Sequence, residues 1–146
     1  MTTVADILKS KADPSVYTMG PQASVFDAVQ LMAQKNSGAL LIVEHDQVIG
    51  MLTERDYARK IVLMDRASRA TSLREIMTHP VMYVRPQHTS EECMALMTEN
   101  RLRHLAVLDD GRLIGLVSIG DLVKNIISEQ KFIIEQLGHY ISGERS

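Results

Sequence analysis

Two stretches of this chain carry a hydroxyl and a carboxylate at the same spacing. Gly50-Met-Leu-Thr53-Glu-Arg-Asp56 and Gly115-Leu-Val-Ser118-Ile-Gly-Asp121 both read Gly-x-x-Ser/Thr-x-x-Asp. Each follows an apolar run and opens a helical pattern, so each marks a strand-to-helix junction. A hydroxyl at such a junction with an acid three residues on is close to a capping box. The same junction is also suited to binding. The first N–H groups of a helix lack internal partners and can hold a phosphate or a sugar hydroxyl. A Ser or Thr hydroxyl adds a hydrogen bond to a phosphate oxygen, and an Asp can accept from both hydroxyls of a ribose, as an acid does in dinucleotide sites. The upstream glycine would let a ligand approach the strand closely. Capping and binding are compatible, and the residues alone leave both open.

The elements that position these junctions are themselves duplicated. A shift of 65 residues lays Pro21–Val62 onto Pro86–Ile127 without a gap. Pro21-Gln22 meets Pro86-Gln87, Leu31-Met32 meets Leu96-Met97, Ile49-Gly50 meets Ile114-Gly115, and Asp56 meets Asp121. A two-copy repeat predicts one pseudo-symmetric unit with matched sites near its axis.

Each copy reads as strand, helix, strand, strand, helix. In the first, Val16–Met19 is a short strand and Gly20–Ala23 a turn leading to Ser24 as N-cap. Val25, Ala28, Val29 and Met32 then share one helical face. The second copy has Thr89 as cap, then Cys93, Leu96 and Met97. The apolar runs Ala39–Val43 and His104–Leu108 suit buried strands. Asp109-Asp110-Gly111-Arg112 is a strong hairpin signal, and the repeat extends it to Glu44-His45-Asp46-Gln47. The returning strands are Val48–Leu52 and Leu113–Val117, and helices follow from Glu54 and Ile119. Asp65–Ser72 reads as a linker, with Thr71 or Ser72 capping a short helix over Leu73–Met77. Val4–Lys9 takes the same role before copy one. Ile126, Ile127, Phe132, Ile133, Ile134, Leu137 and Ile141 extend a helical stripe beyond the repeat, to pack on its own domain or against another subunit.

The expected fold is α/β, or α+β, with two βαββα repeats and a C-terminal helix. The expected organisation is one unit over 1–146, with repeats at 4–63 and 73–128, a linker at 64–72 and a tail at 129–146.

Bulk properties exclude several classes of function. The chain has 146 residues, a formal net charge of −2 and no basic stretch, so it lacks the footprint of a nucleic-acid binder. With no Trp and only two Phe, it also lacks stacking platforms for single strands. The start, Met1-Thr-Thr-Val-Ala-Asp, does not read as a signal peptide, and no apolar run approaches the ~18 residues of a membrane span. The expected location is the cytoplasm, with no membrane partner. The lone Cys93 falls on an apolar helix face and reads as a buried structural thiol. His45, His79, His88, His104 and His139 show no metal-ligand spacing, so no metal is expected. Asp109-Asp110 is a turn pair, and the nine Met residues mostly occupy helix and strand core positions.

With the repeat and both junctions in view, the chain resembles a tandem cystathionine-β-synthase (CBS) domain pair, also called a Bateman module. The resemblance covers Val4 to about Ser128. It rests on the βαββα repeat, the paired motifs and the Arg103-His-Leu-Ala-Val-Leu-Asp109 strand. Thr53-Glu-Arg-Asp-Tyr57 with Ile76-Met77-Thr78 is similar to small stand-alone CBS-pair proteins. The resemblance implies binding of an adenosyl compound between the repeats: AMP foremost, with NAD(H), ADP, ATP or S-adenosylmethionine as alternatives. By motif match, Asp56 and Asp121 hold ribose. Thr53, Ser118, Arg55, Arg103 and His104 lie near phosphate or ribose. The adenine slot falls at Thr18, Met19, Ser37, Gly38 and Ala39 in copy one and at Tyr83, Val84 and Leu102, beside Arg103-His104, in copy two. Each ligand draws on both copies. Because copy one has Ser37-Gly38-Ala39 where copy two has Leu102-Arg103-His104, and Arg55 where copy two has Gly120, the two sites should differ in affinity or ligand, for example AMP in one and a dinucleotide in the other.

The resulting expectation is a non-catalytic sensor acting through a partner protein or its own oligomer, at least a homodimer. A plain interaction module without an obligate ligand is the alternative. An enzyme is disfavoured, because no nucleophile–base pair appears and the two acids belong to separate sites.

Overall fold

The computed structural model describes residues 2–141. Residues 142–146 of the expected tail, and the side chains of Phe132, His139, Tyr140 and Ile141, lie outside what is described.

The elements follow in the order α1 (Val4–Ser10), β1 (Thr18–Met19), α2 (Val25–Lys35), β2 (Ala39–Glu44), β3 (Gln47–Thr53) and α3 (Glu54–Tyr57). The second copy continues with α4 (Leu73–Ile76), β4 (Tyr83–Val84), α5 (Ser90–Asn100), β5 (His104–Asp109), β6 (Arg112–Ser118) and α6 (Ile119–Ile141). They form two three-stranded sheets of one topology, β1-β2-β3 and β4-β5-β6, each with a parallel first pair and an antiparallel hairpin. This is the α/β repeat architecture the sequence predicted. Register repeats too: Ala39 pairs with Thr53 as His104 pairs with Ser118, and both hairpins shift register after their fourth residue, at Ile42/Val43 and Val107/Leu108.

Local chemistry explains the element boundaries. Ser24 accepts from the Asp27 N–H at 3.1 Å, and Thr89 forms a capping box with Glu92. Of the two cap candidates before α4, Ser72 makes the box with Glu75, while Thr71 is buried and its hydroxyl donates to the Ala67 carbonyl. Both hairpin turns take positive φ at two successive residues, His45 (52°) and Asp46 (61°), then Asp110 (51°) and Gly111 (79°), as a primed turn requires. The weaker signal at Glu44–Gln47 therefore encodes the same turn.

The leading helices cross over. The N–H groups of Val4 and Ala5 bond to the carbonyls of His88 and Pro86 at 2.8 and 3.0 Å, and those of Leu73 and Arg74 bond to Ala23 and Pro21 at 2.9 and 3.0 Å. Val4 and Ile7 accordingly join the core of the second sheet, and Leu73, Ile76 and Met77 that of the first. The α1 helix precedes copy one in sequence but packs on copy two. A third cluster, built on Ala39, Leu41, Met51, Ala106 and Leu116, joins the sheets at the pseudo-axis. Leu41, fully buried there, contributes roughly 2 kcal/mol from apolar burial.

The copies part at their last helices. In copy one, α3 gives way to a π-helical turn at Ala58–Val62, and Ser68–Ala70 of the expected linker forms a 3₁₀ turn. In copy two, α6 runs unbroken for 23 residues, so the expected tail continues the repeat's own helix. Its Ile133, Ile134 and Leu137 are exposed in the single chain.

Candidate ligand clefts

Both junction motifs close as capping boxes. The Thr53 N–H and hydroxyl donate to Asp56 Oδ2 at 3.0 and 3.1 Å, and the Asp56 N–H donates to Thr53 Oγ1 at 3.1 Å. In copy two the Ser118 N–H donates to Asp121 Oδ2 at 2.9 Å, and the Asp121 N–H returns to Ser118 Oγ at 3.1 Å. The boxes fix both carboxylates at the strand-to-helix bend. The side chains of Asp56 and Asp121 keep only 12% and 16% exposure.

Each carboxylate is also met by a lysine, but from different places. Lys60 stands one turn on from Asp56, its Nζ 3.4 Å from Oδ1, where Thr78 also donates at 2.9 Å. Lys60 Nζ donates as well to the Ile76 carbonyl at 2.9 Å. In copy two the position one turn on from Asp121 is Asn125, whose Oδ1 is buried with no hydrogen-bond partner among the described residues. Lys11 supplies the cation instead, from the connection between α1 and β1. It lies 3.1 Å from Asp121 Oδ2 and donates to the Leu116 carbonyl at 2.8 Å.

Each Asp opens into a cleft whose opposite wall belongs to the other copy. The Asp56 cleft, about 590 Å³, combines Thr53, Arg55 and Asp56 with Leu102, Arg103 and His104. The Asp121 cleft, about 730 Å³, combines Ser118 and Asp121 with Tyr17, Ser37 and Gly38. Five basic side chains line the first (Arg55, Arg59, Lys60, Arg101, Arg103) against three in the second (Lys11, Lys35, Lys124). Arg55 spans the copies, donating to the Arg101 carbonyl at 2.9 Å. His104 lines both clefts, as does Gly38. Burial holds the His104 imidazole below its ordinary pKa, while Asp121 and Glu54 pull it upward and Lys11 and Arg103 downward.

Several expected residues fall elsewhere. Val84, proposed for the adenine slot, is fully buried in the second sheet's core, and Ala39 is buried between the sheets, so neither side chain faces a cleft. Met19 packs on the first core, and Thr18 and exposed Tyr83 line neither cleft. With two-residue strands, β1 and β4 turn one side chain into a core and the other out to solvent. The preceding segment reaches the site instead, through Lys11, Asp13, Ser15 and Tyr17. The junction glycines also serve differently from the expectation. A Cβ on Gly50 would stand 2.7 Å from Met77 Cγ, and one on Gly115 would stand 2.7 Å from Leu8 Cδ2. The glycines therefore admit the crossed-over helices, not a ligand.

Sequence reasoning missed Lys60 and Asn125, which an i,i+4 reading from each Asp would have found. Nothing in the repeat pointed to Lys11, which lies outside it. Elsewhere, burial pushes the Cys93 thiol up to about 11, which suits a packed, unreactive side chain. Among the described residues no cluster of His, Cys, Asp and Glu could hold a metal ion, and no helix is long and apolar enough to cross a membrane.

The CBS domain family model matches residues 4–63 and 73–128, the two copies that build these clefts. The chain belongs to the CBS-domain family. It is 41% identical to CBS domain-containing protein CBSX3, mitochondrial, of Arabidopsis thaliana, over 97% of this chain and 73% of that protein. It is 32% identical to CBS domain-containing protein YhcV of Bacillus subtilis, over 89% of each. Among solved structures, a protein with CBS domains from Burkholderia ambifaria, whose name suggests signal transduction, superposes with a TM-score of 0.85 at 58% identity, covering 88% of this chain and 96% of that one. Paired CBS domains generally bind adenosyl ligands, act in regulation and commonly form oligomers, and stand-alone pairs are generally non-catalytic. One relative is mitochondrial by name, so family membership alone does not place this chain in the cytoplasm.

Proposed function

We propose that this CBS pair is a non-catalytic sensor that binds an adenine nucleotide across its two repeats and passes the occupancy to a partner protein or to its own oligomer. AMP is the first candidate, with ADP, ATP, NAD(H) and S-adenosylmethionine next. The observation that carries this reading is the composition of each cleft. A capping-box carboxylate from one copy faces the second-strand entry of the other copy, so a ligand holding both must bridge the repeats. Bridging is what lets a small molecule favour one arrangement of the repeats over another. Asp56 and Asp121 would take ribose hydroxyls, with Thr53 and Ser118 beside them. Arg55 and Arg103 would face phosphate in the more basic Asp56 cleft, whose ligand therefore carries more negative charge. The separation of the two acids into different clefts supports a non-catalytic role. The exposed Ile133, Ile134 and Leu137 on α6 support a homodimer or higher homo-oligomer.

A second reading, an interaction module with no obligate ligand, has one observation in its favour: Lys60 and Lys11 already balance both carboxylates within the protein. A thermal-shift panel on ligand-stripped protein separates the two. A specific ligand at 100 times its dissociation constant adds about 2.7 kcal/mol. The sensor reading expects a shift with one adenosyl class, lost in the Asp56→Ala/Asp121→Ala protein. Partner binding that persists in that double variant, with no shift from any nucleotide, would establish the interaction module instead.

A further inference from the structure

The two clefts share a wall. His104 and Gly38 are the residues common to both linings, and the imidazole stands at van der Waals distance from where a Gly38 side chain would begin. A Cβ built on Gly38 would stand 3.4 Å from His104 Nε2 and 3.5 Å from Cε1. The pseudo-symmetric counterpart of His104 is Ala39, which is buried between the sheets and presents no polar group to either cleft. One ring therefore serves where symmetry would supply two.

We propose that His104 couples the two ligand sites, touching a ligand in each and making occupancy of one cleft set the affinity of the other. This rests on the reading above, that both clefts take anionic adenosyl ligands. The charged groups around the ring belong in pairs to the two clefts. Asp121 and Lys11 approach it from the larger cleft, and Glu54 and Arg103 from the smaller. In the empty protein burial disfavours the imidazolium. An anion entering one cleft favours the imidazolium, which takes up a proton from solvent. The positive ring then faces the second cleft and attracts the anion there. At a pH high enough to keep the ring neutral, two anions on either side of it only repel. The coupling is thus favourable near the ordinary histidine pKa and disappears or reverses in alkali.

The test is calorimetric titration of the full chain with AMP, at about pH 6.5 and about pH 8.5, in two buffers of different ionisation enthalpy. Asp56→Ala and Asp121→Ala each leave one cleft to be measured alone, so the coupling factor is read against the wild type. At the lower pH the second AMP is expected to bind about fivefold or more tighter than the first, with proton uptake. His104→Ala, which places the counterpart's residue type here, should bring the factor to one or below and abolish the uptake. His104→Gln keeps the volume of the wall and should do the same without disturbing the fold. Independent sites in the wild type, or a coupling factor unchanged in both His104 variants, would overturn the proposal and leave the sensor reading standing. Failure of the wild type to bind any of AMP, ADP, ATP, NAD(H) and S-adenosylmethionine would overturn both.

Discussion

The Asp56 and Asp121 junctions begin from nearly the same local chemistry and end in different surroundings. Both make a hydroxyl–carboxylate capping box at a strand-to-helix bend, and both need a glycine upstream to admit a crossed-over helix. The cation beside Asp56 comes from its own helix at i+4, whereas the cation beside Asp121 comes from Lys11, more than a hundred residues away in the chain. Where copy one has Lys60, copy two has Asn125, whose oxygen has no partner among the described residues. The connection after α1 brings Lys11, Asp13 and Tyr17 to the larger cleft, and the connection of similar length after α4 brings Thr78 to the smaller. Duplication thus fixes the backbone and the carboxylate, while the residues around them are free to diverge. A pair built this way can hold one class of ligand in two sites with unequal charge preference.

The largest effects should come from the feature the clefts share. Asp56→Ala should weaken nucleotide binding in its own cleft about 100-fold, and Asp121→Ala likewise in the other, since each removes charge-assisted hydrogen bonds. Calorimetric stoichiometry falling from two sites to one in each variant is the check. The shared glycines come next: Gly50→Ala and Gly115→Ala should each cost about 1–3 kcal/mol by overpacking against Met77 and Leu8. Gly20→Ala, where a Cβ meets nothing within 4 Å, should stay within about 0.5 kcal/mol in the same urea titrations.

What distinguishes the clefts should appear in ligand charge. With the other site removed, the preference for ATP over AMP should be about tenfold greater in the Asp56 cleft, and rising ionic strength should shrink that margin. Equal preferences in the two single-site proteins would erase the distinction. A smaller effect belongs to the scaffold: Thr89→Ala should cost about 1 kcal/mol through loss of the α5 cap.

The subtlest effect is on pH. Because burial depresses the folded-state pKa of His104, its contribution to stability is full above the unfolded value near 6.5 and is lost as pH falls through the folded value. The capping carboxylates of Asp6, Glu75 and Glu92, lowered chiefly by backbone hydrogen bonds from Thr3, Ser72 and Thr89, act in a separate window. Their contribution is present above about pH 4.3 and is lost only in stronger acid. Between about pH 7 and pH 5.5, melting temperature should therefore fall less in His104→Gln than in the wild type.

The repeat made most of the fold legible. Once Pro21–Val62 aligned with Pro86–Ile127, the sheets, the hairpin at His45-Asp46 and the caps at Ser24 and Thr89 followed from local chemistry. The site's carboxylates were legible for the same reason, because a capping box is a short-range pattern. What stayed hidden was long-range. Nothing in the sequence of α1 says that it packs on the second sheet, so the purpose of Gly50 and Gly115 was misread as ligand clearance. The placement of Thr18-Met19 and Tyr83-Val84, whose side chains line neither cleft, was not legible because two-residue strands leave no alternation from which to tell a core face from a cleft face. Lys11 was invisible because its partner is set by tertiary closure alone.

The most direct test of the account is a structure of the chain with AMP bound. The account predicts adenosine bridging the repeats, with ribose hydroxyls on Asp56 or Asp121 and the base against the second-strand entry of the opposite copy. AMP confined to one repeat, or found away from both carboxylates, would contradict it.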